Sequence, residues 1–114
     1  MNQIDEWGKD PSVQIMRRVF KAMEAAQARL LHELGISLYD LRIRAWREKA
    51  LALFERAWVS ANRIGLDIDE CFAYDIYIYA MAEAIYQDGI EVPSDLLPAG
   101  EEVKRVFSDL RVGN

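Results

Sequence analysis

Histidine and cysteine each occur once in this chain, as His32 and Cys71. One residue of each kind cannot assemble a zinc site of thiolates and imidazoles within the chain. A lone thiol leaves no internal disulfide to staple the fold. No Glu-x-x-His spacing occurs, so the carboxylate-bridged metal pairs of helical bundles have no counterpart here. The six glycines are scattered, mostly at the ends of apolar-periodic stretches, and none belongs to a phosphate-cradling loop. Long apolar runs are missing too. Ile76 to Ala82 gives way at Glu83, far short of the ~20 residues a membrane span needs. The first residues lack the basic start and apolar centre of a secretory signal. These absences lead us to expect a cytoplasmic protein with no metal, no cofactor and no membrane partner.

What is present has a globular balance. Hydrophobic residues make up 52% and charged residues 29% of 114 positions, too apolar for disorder and enough for one domain. A chain of this size buries roughly 65% of the surface its unfolded form exposes. The net charge of −5 hides two opposite halves. Residues 1–64 carry 11 Lys and Arg against 8 Asp and Glu, whereas residues 65–114 carry 3 against 11. The acidic total argues against nonspecific nucleic-acid binding, while the basic first half leaves a specific form of it open.

Three glycines punctuate the chain in the same way: Gly35-Ile36-Ser37-Leu38, Gly65-Leu66-Asp67-Ile68 and Gly89-Ile90-Glu91-Val92. Each closes a stretch with helical apolar spacing, and glycine just past a helix accepts the left-handed backbone of the last turn. The spacing predicts helices over about 11–34, 38–64, 69–88 and 100–110. In the first, Ile15, Met16, Val19, Phe20, Met23, Ala26, Leu30, Leu31 and Leu34 share one side. Asp10-Pro11-Ser12 suits its start, and Trp7 is placed to staple onto it. Ser37 and Asp40 have the spacing of a capping box for the second helix. Asp67 or Asp69 opens the third, on the positive end of its dipole. Phe72 to Tyr79 alternates as a strand would, but a lone strand has no partner elsewhere in the chain. The fold class expected is therefore all-α: an up-down-up bundle of three long helices plus a short C-terminal helix, in one domain over 1–114.

Few residues suggest chemistry. His32 falls on the polar side of the first helix, with no nucleophile or orienting acid signalled beside it. Cys71 falls on the apolar arc of the third and reads as core. Asp67, Asp69 and Glu70 lack the glycine and closing glutamate of a calcium loop, so capping accounts for them. Two charges sit awkwardly on their wheels. Arg47 lies at the edge of the second helix's apolar arc, and Asp75 in the middle of the third's. A hairpin turning near residue 66 sets opposite each other residues whose numbers sum to about 133. That register predicts Arg47 with Glu83, and Asp75 with the Trp58 indole, a tyrosine hydroxyl, or Arg17 or Arg18.

Arg42, Lys49, Arg56 and Arg63 recur every seven residues as one basic stripe. With Tyr77 and Tyr86, which offer area and a polar tip, they form the expected interaction surface. Ala73, Ala80 and Ala84 make a small-residue side of the third helix, to be covered by the last helix or by a second copy. The leading expectation is a non-enzymatic interaction module that binds another protein or itself, with a homodimer favoured. A nucleic-acid-associated regulator using the basic faces of the first two helices is the alternative. A small-molecule or acid–base site around Asp75 and Glu83 is the third.

Overall fold

The computed structural model describes residues 11–112, and these form helices with no strand among them. α1 spans Pro11–Glu33, α2 Ile43–Arg63, α3 Glu70–Gln87 and α4 Glu101–Val112, with one 3-10 turn at Ser94–Leu96. The Asp10 and Ser12 capping side chains and the Trp7 staple lie outside what is described. α3 lies between α1 and α2 and packs along both, while α4 rests mainly on α2. This is the expected bundle, with Phe72 to Tyr79 helical. That segment looks strand-like because α3 is buried on several sides at once, from Phe72, Ala73 and Ile76 round to Ile78 and Ala82.

The helix stops work as capping chemistry requires. At Gly35, with φ +67°, the Ile36 amide reaches back to the Leu31 carbonyl at 2.9 Å and the Gly35 amide to His32 at 3.0 Å. Gly65 repeats the pattern at φ +78°, with Leu66 bonded to Ala61 at 2.8 Å. These are paired closing bonds of the Schellman type, and they end each helix. At the other end of α3, the Asp69 carboxylate accepts from the Phe72 amide at 2.8 Å.

The hairpin register also holds. Trp46 donates its indole N–H to Asp88, and Phe54 meets Tyr77 edge-on with ring centroids 6.1 Å apart. Both contacts join levels that the register sets opposite each other.

Four expectations need correction. α2 begins at Ile43 rather than residue 38. Ser37 and Asp40 bond amides only two residues on, Tyr39 at 3.1 Å and Arg42 at 2.9 Å. They therefore make local turns, which compete with a helix start. Second, α1 buries a narrower strip than its wheel suggests. Val19, Met23, Ala26 and Leu30 are buried, but Ile15, Met16 and Phe20 are exposed. α1 packs along α3 and not along α2, so only the arc facing one neighbour is covered. Third, Cys71 is exposed rather than core. It stands in the first turn of α3, ahead of the buried part of its stripe, which starts at Ile78. Fourth, Tyr77 is only 2% exposed and belongs to the core, not to a partner surface. Its ring packs on Phe54 of α2, and its hydroxyl lies 3.4 Å from Gln27 of α1.

Candidate functional site

The four cations of the basic stripe are exposed, and successive members drift round α2 because seven residues fall short of two full turns by about 20°. At the two ends the charges are occupied. Arg42 pairs with Asp40 at 2.7 Å and stands over the Trp46 ring, 5.0 Å from its centroid. That pairing holds the Asp40 carboxyl down at about 2. Arg63 pairs with Asp109 of α4, which also accepts from the Ser60 hydroxyl. Both partners hold the Asp109 carboxyl below its usual range. Ser60, 1% exposed and 3.2 Å from the Val106 carbonyl oxygen, is thus a buried polar peg between α2 and α4.

Between those ends lies a groove. α2, α3 and α4 enclose a space of about 460 Å³ lined by Lys49, Ala52, Leu53 and Arg56 on one wall. Tyr79, Ala80, Glu83, Ala84 and Gln87 form the second wall, and Phe107 and Leu110 the third. Ala80 and Ala84 are the small-residue side of α3 expected to be covered, and at 1% and 2% exposed they are buried. Phe107 stacks on Tyr79 at 4.3 Å between centroids, and the groove opens past that contact. Lys49 and Arg56 stand two turns apart on one edge, ~10.5 Å along α2, and Glu83 faces them. None of the three belongs to a salt bridge among the described residues.

The other predicted site residues fall elsewhere. Arg47 is paired with Gln27, Nε to Oε1 at 3.3 Å, and not with Glu83. Lys49 faces Glu83's groove, and two residues along a helix is a turn of about 200°, so Arg47 points to the opposite edge, toward α1. The same arithmetic separates Asp75 from Trp58. Tyr77 faces α2, so Asp75, two positions earlier, faces away from it. Asp75 is half-buried, and its carboxyl is pushed up by burial and by the nearby Asp69 charge. Trp58 packs instead on Phe54 with centroids 5.9 Å apart. Arg18 pairs with Glu70 at 3.6 Å, and Tyr74 receives Arg29 at 3.4 Å. Tyr86 is 64% exposed and lines no part of the groove.

Sequence reasoning missed Ser60, Asp109 and Asp88 as polar anchors. Only Ser60 left a signal, as the one hydroxyl on the apolar arc of α2. Among the described residues no group of His, Cys, Asp and Glu is placed to hold a metal ion. None of the described helices is long and apolar enough to cross a membrane. No protein-family model, no curated protein and no solved structure matches the chain.

Proposed function

We propose that this chain is a non-enzymatic helical interaction module, which receives an amphipathic helix of a partner protein in the α2–α3–α4 groove. The observation that supports this reading is an open groove with Ala52, Leu53 and Leu110 in its lining, rimmed by charges that have no ion-pair partner among the described residues. Small lining residues let another helix approach closely, and helix-in-groove recognition uses apolar anchors at three- and four-residue spacing. Lys49 and Arg56 select a partner with acidic residues two turns apart, and Glu83 and Gln87 take a cationic or amide group opposite. Rim charges of this kind steer encounter and fix orientation more than they add affinity. An exposed lone thiol fits a reducing compartment, and we assign the module to the cytoplasm.

The nucleic-acid reading draws less support. Two of the four stripe cations are already engaged, by Asp40 and Asp109, and Arg18 by Glu70. Chemistry centred on Asp75 and Glu83 draws less still, since Asp75 is not among the residues that line Glu83's groove.

The test is affinity capture from native cells on wild-type protein and on a Lys49→Glu/Arg56→Glu variant, with circular dichroism confirming equal helicity. The expected result is a protein retained by wild-type and lost on the variant. Equal retention on both, or salt-sensitive nucleic acid as the retained species, refutes the groove reading.

A further inference from the structure

A second groove runs along the opposite edge of α2. It lies between α1 and α2 over the ring of Tyr77, with a volume of about 400 Å³. Phe20, Met23, Glu24, Gln27 and Ala28 form its α1 wall, Arg47 and Leu51 its α2 wall, and Leu38 closes one end. Its rim sets apolar residues beside Glu24, Gln27 and Arg47 and is open to solvent. Phe20 is 50% exposed and Leu38 73%, and Met16 continues the strip one turn along α1. A contiguous exposed strip of this kind marks an interaction surface more often than a chance scatter of apolar residues does.

We infer that this face is where two copies of the chain associate. A two-fold interface demands self-complementarity of a single surface, and this face has it. The two walls are antiparallel helices, and each carries exposed apolar residues: Met16 and Phe20 on α1, Leu51 on α2. They also carry opposite charges, Glu24 on α1 and Arg47 on α2. Arg47 bonds Gln27, which stands one turn from Glu24. A two-fold axis parallel to the helices sets α1 of one copy on α2 of the other. Glu24 then faces the second copy's Arg47 within about a turn, twice, and the apolar strips close between them as a four-helix layer. Only the Nε of Arg47 is used by Gln27, which leaves the guanidinium tip for Glu24 of the other copy. The scale suits a dimer. Two adjacent helices, each ~30 Å long and ~10 Å wide, offer a footprint on the order of 600 Å², close to the ~800 Å² per partner of a standard interface. α2 stands between this face and the partner groove, so both are free to be occupied together.

The test is sedimentation equilibrium of the full chain over a wide concentration range, with charge-swap variants. Wild-type is expected to dimerise reversibly. Phe20→Asp replaces a half-exposed side chain, so it leaves the fold intact while weakening the dimer by roughly 30-fold or more. Glu24→Arg and Arg47→Glu each weaken it several-fold, and the double swap restores it. A wild-type monomer throughout, or a dimer indifferent to Phe20→Asp and to both charge changes, overturns the inference. Lys49→Glu/Arg56→Glu is expected to leave the dimer intact, which separates this inference from the partner-groove reading.

Discussion

At the scale of single residues, the instructive side chains are those whose surroundings disagree with their chemistry. Asp75 is half-buried on α3, accepts no hydrogen bond from the described residues, and has its carboxyl pushed up by burial. Its folded pKa lies above its unfolded value, so folding favours the protonated form. The penalty is absent below the ordinary carboxylate range and grows as pH rises through the folded value. Asp75→Asn should therefore stabilise the protein at pH 7, and the gain should vanish by about pH 3, below the ordinary carboxylate value of 3.8. Urea denaturation at the two pH values checks this; a gain that is the same at both contradicts it. Ser60 is the opposite case, a buried hydroxyl whose one hydrogen has two acceptors in reach, Asp109 and the Val106 carbonyl. Ser60→Ala removes its bond to Asp109 and should cost about 1 kcal/mol, read from the same denaturation curves. Cys71 gives a direct check on exposure. A thiol reagent should label the native protein within a few-fold of the rate in denaturant, where a core cysteine would be protected by orders of magnitude.

At the scale of elements, the joints govern the fold. Gly65 sits at φ +78° with open space where a Cβ would go, so Gly65→Ala isolates the backbone cost from any clash. About 1 kcal/mol of destabilisation is expected. Gly100 is the control. It too has open space around it but no left-handed backbone, so Gly100→Ala should be neutral or slightly stabilising by calorimetry. These joints were legible in the sequence because they are local: a glycine after a periodic stretch needs no knowledge of the rest of the chain. The α2/α3 register was legible for the same reason, since the six residues between Arg63 and Glu70 leave little freedom. What one wheel could not reveal was which neighbour faces which edge. Arg47 and Lys49 both lie at edges of α2's apolar arc, and only the placement of α1 and α4 assigns one to Gln27 and the other to the groove. Phe20 and Met16 read as core because their spacing is right, yet the spacing cannot say how many helices α1 will touch. Ser37 and Asp40 present the capping-box spacing, but their side chains close two-residue turns instead, and the helix starts later.

At the scale of the whole molecule, the packing is unequal, and stability should be distributed accordingly. α3 is enclosed by α1 and α2 and touched by α4, and buries Ile76, Ala80, Met81 and Ile85 almost completely. α4 is attached by one face, through Val103, Val106, Phe107 and the Ser60–Asp109–Arg63 cluster. The N-terminal half of α1 buries little more than Val19 among the side chains described there. A helix held on one face opens at less cost than one that must leave two neighbours together, so local unfolding should precede global unfolding. In native-state hydrogen exchange the amides of α3 should be the slowest and should track the global unfolding free energy. Those of α4 and of α1 before Val19 should exchange through smaller openings with little denaturant dependence. Phe107→Ala should widen the gap. It removes a buried ring stacked on Tyr79 and should cost about 3 kcal/mol, with the added exchange concentrated in α4. Because Phe107 and Leu110 also wall the partner groove, the same variant should weaken partner capture before it unfolds the bundle. If α4 instead exchanges as slowly as α3 and Phe107→Ala accelerates all helices equally, the molecule opens as one unit, and α4 is not a separable wall of the groove.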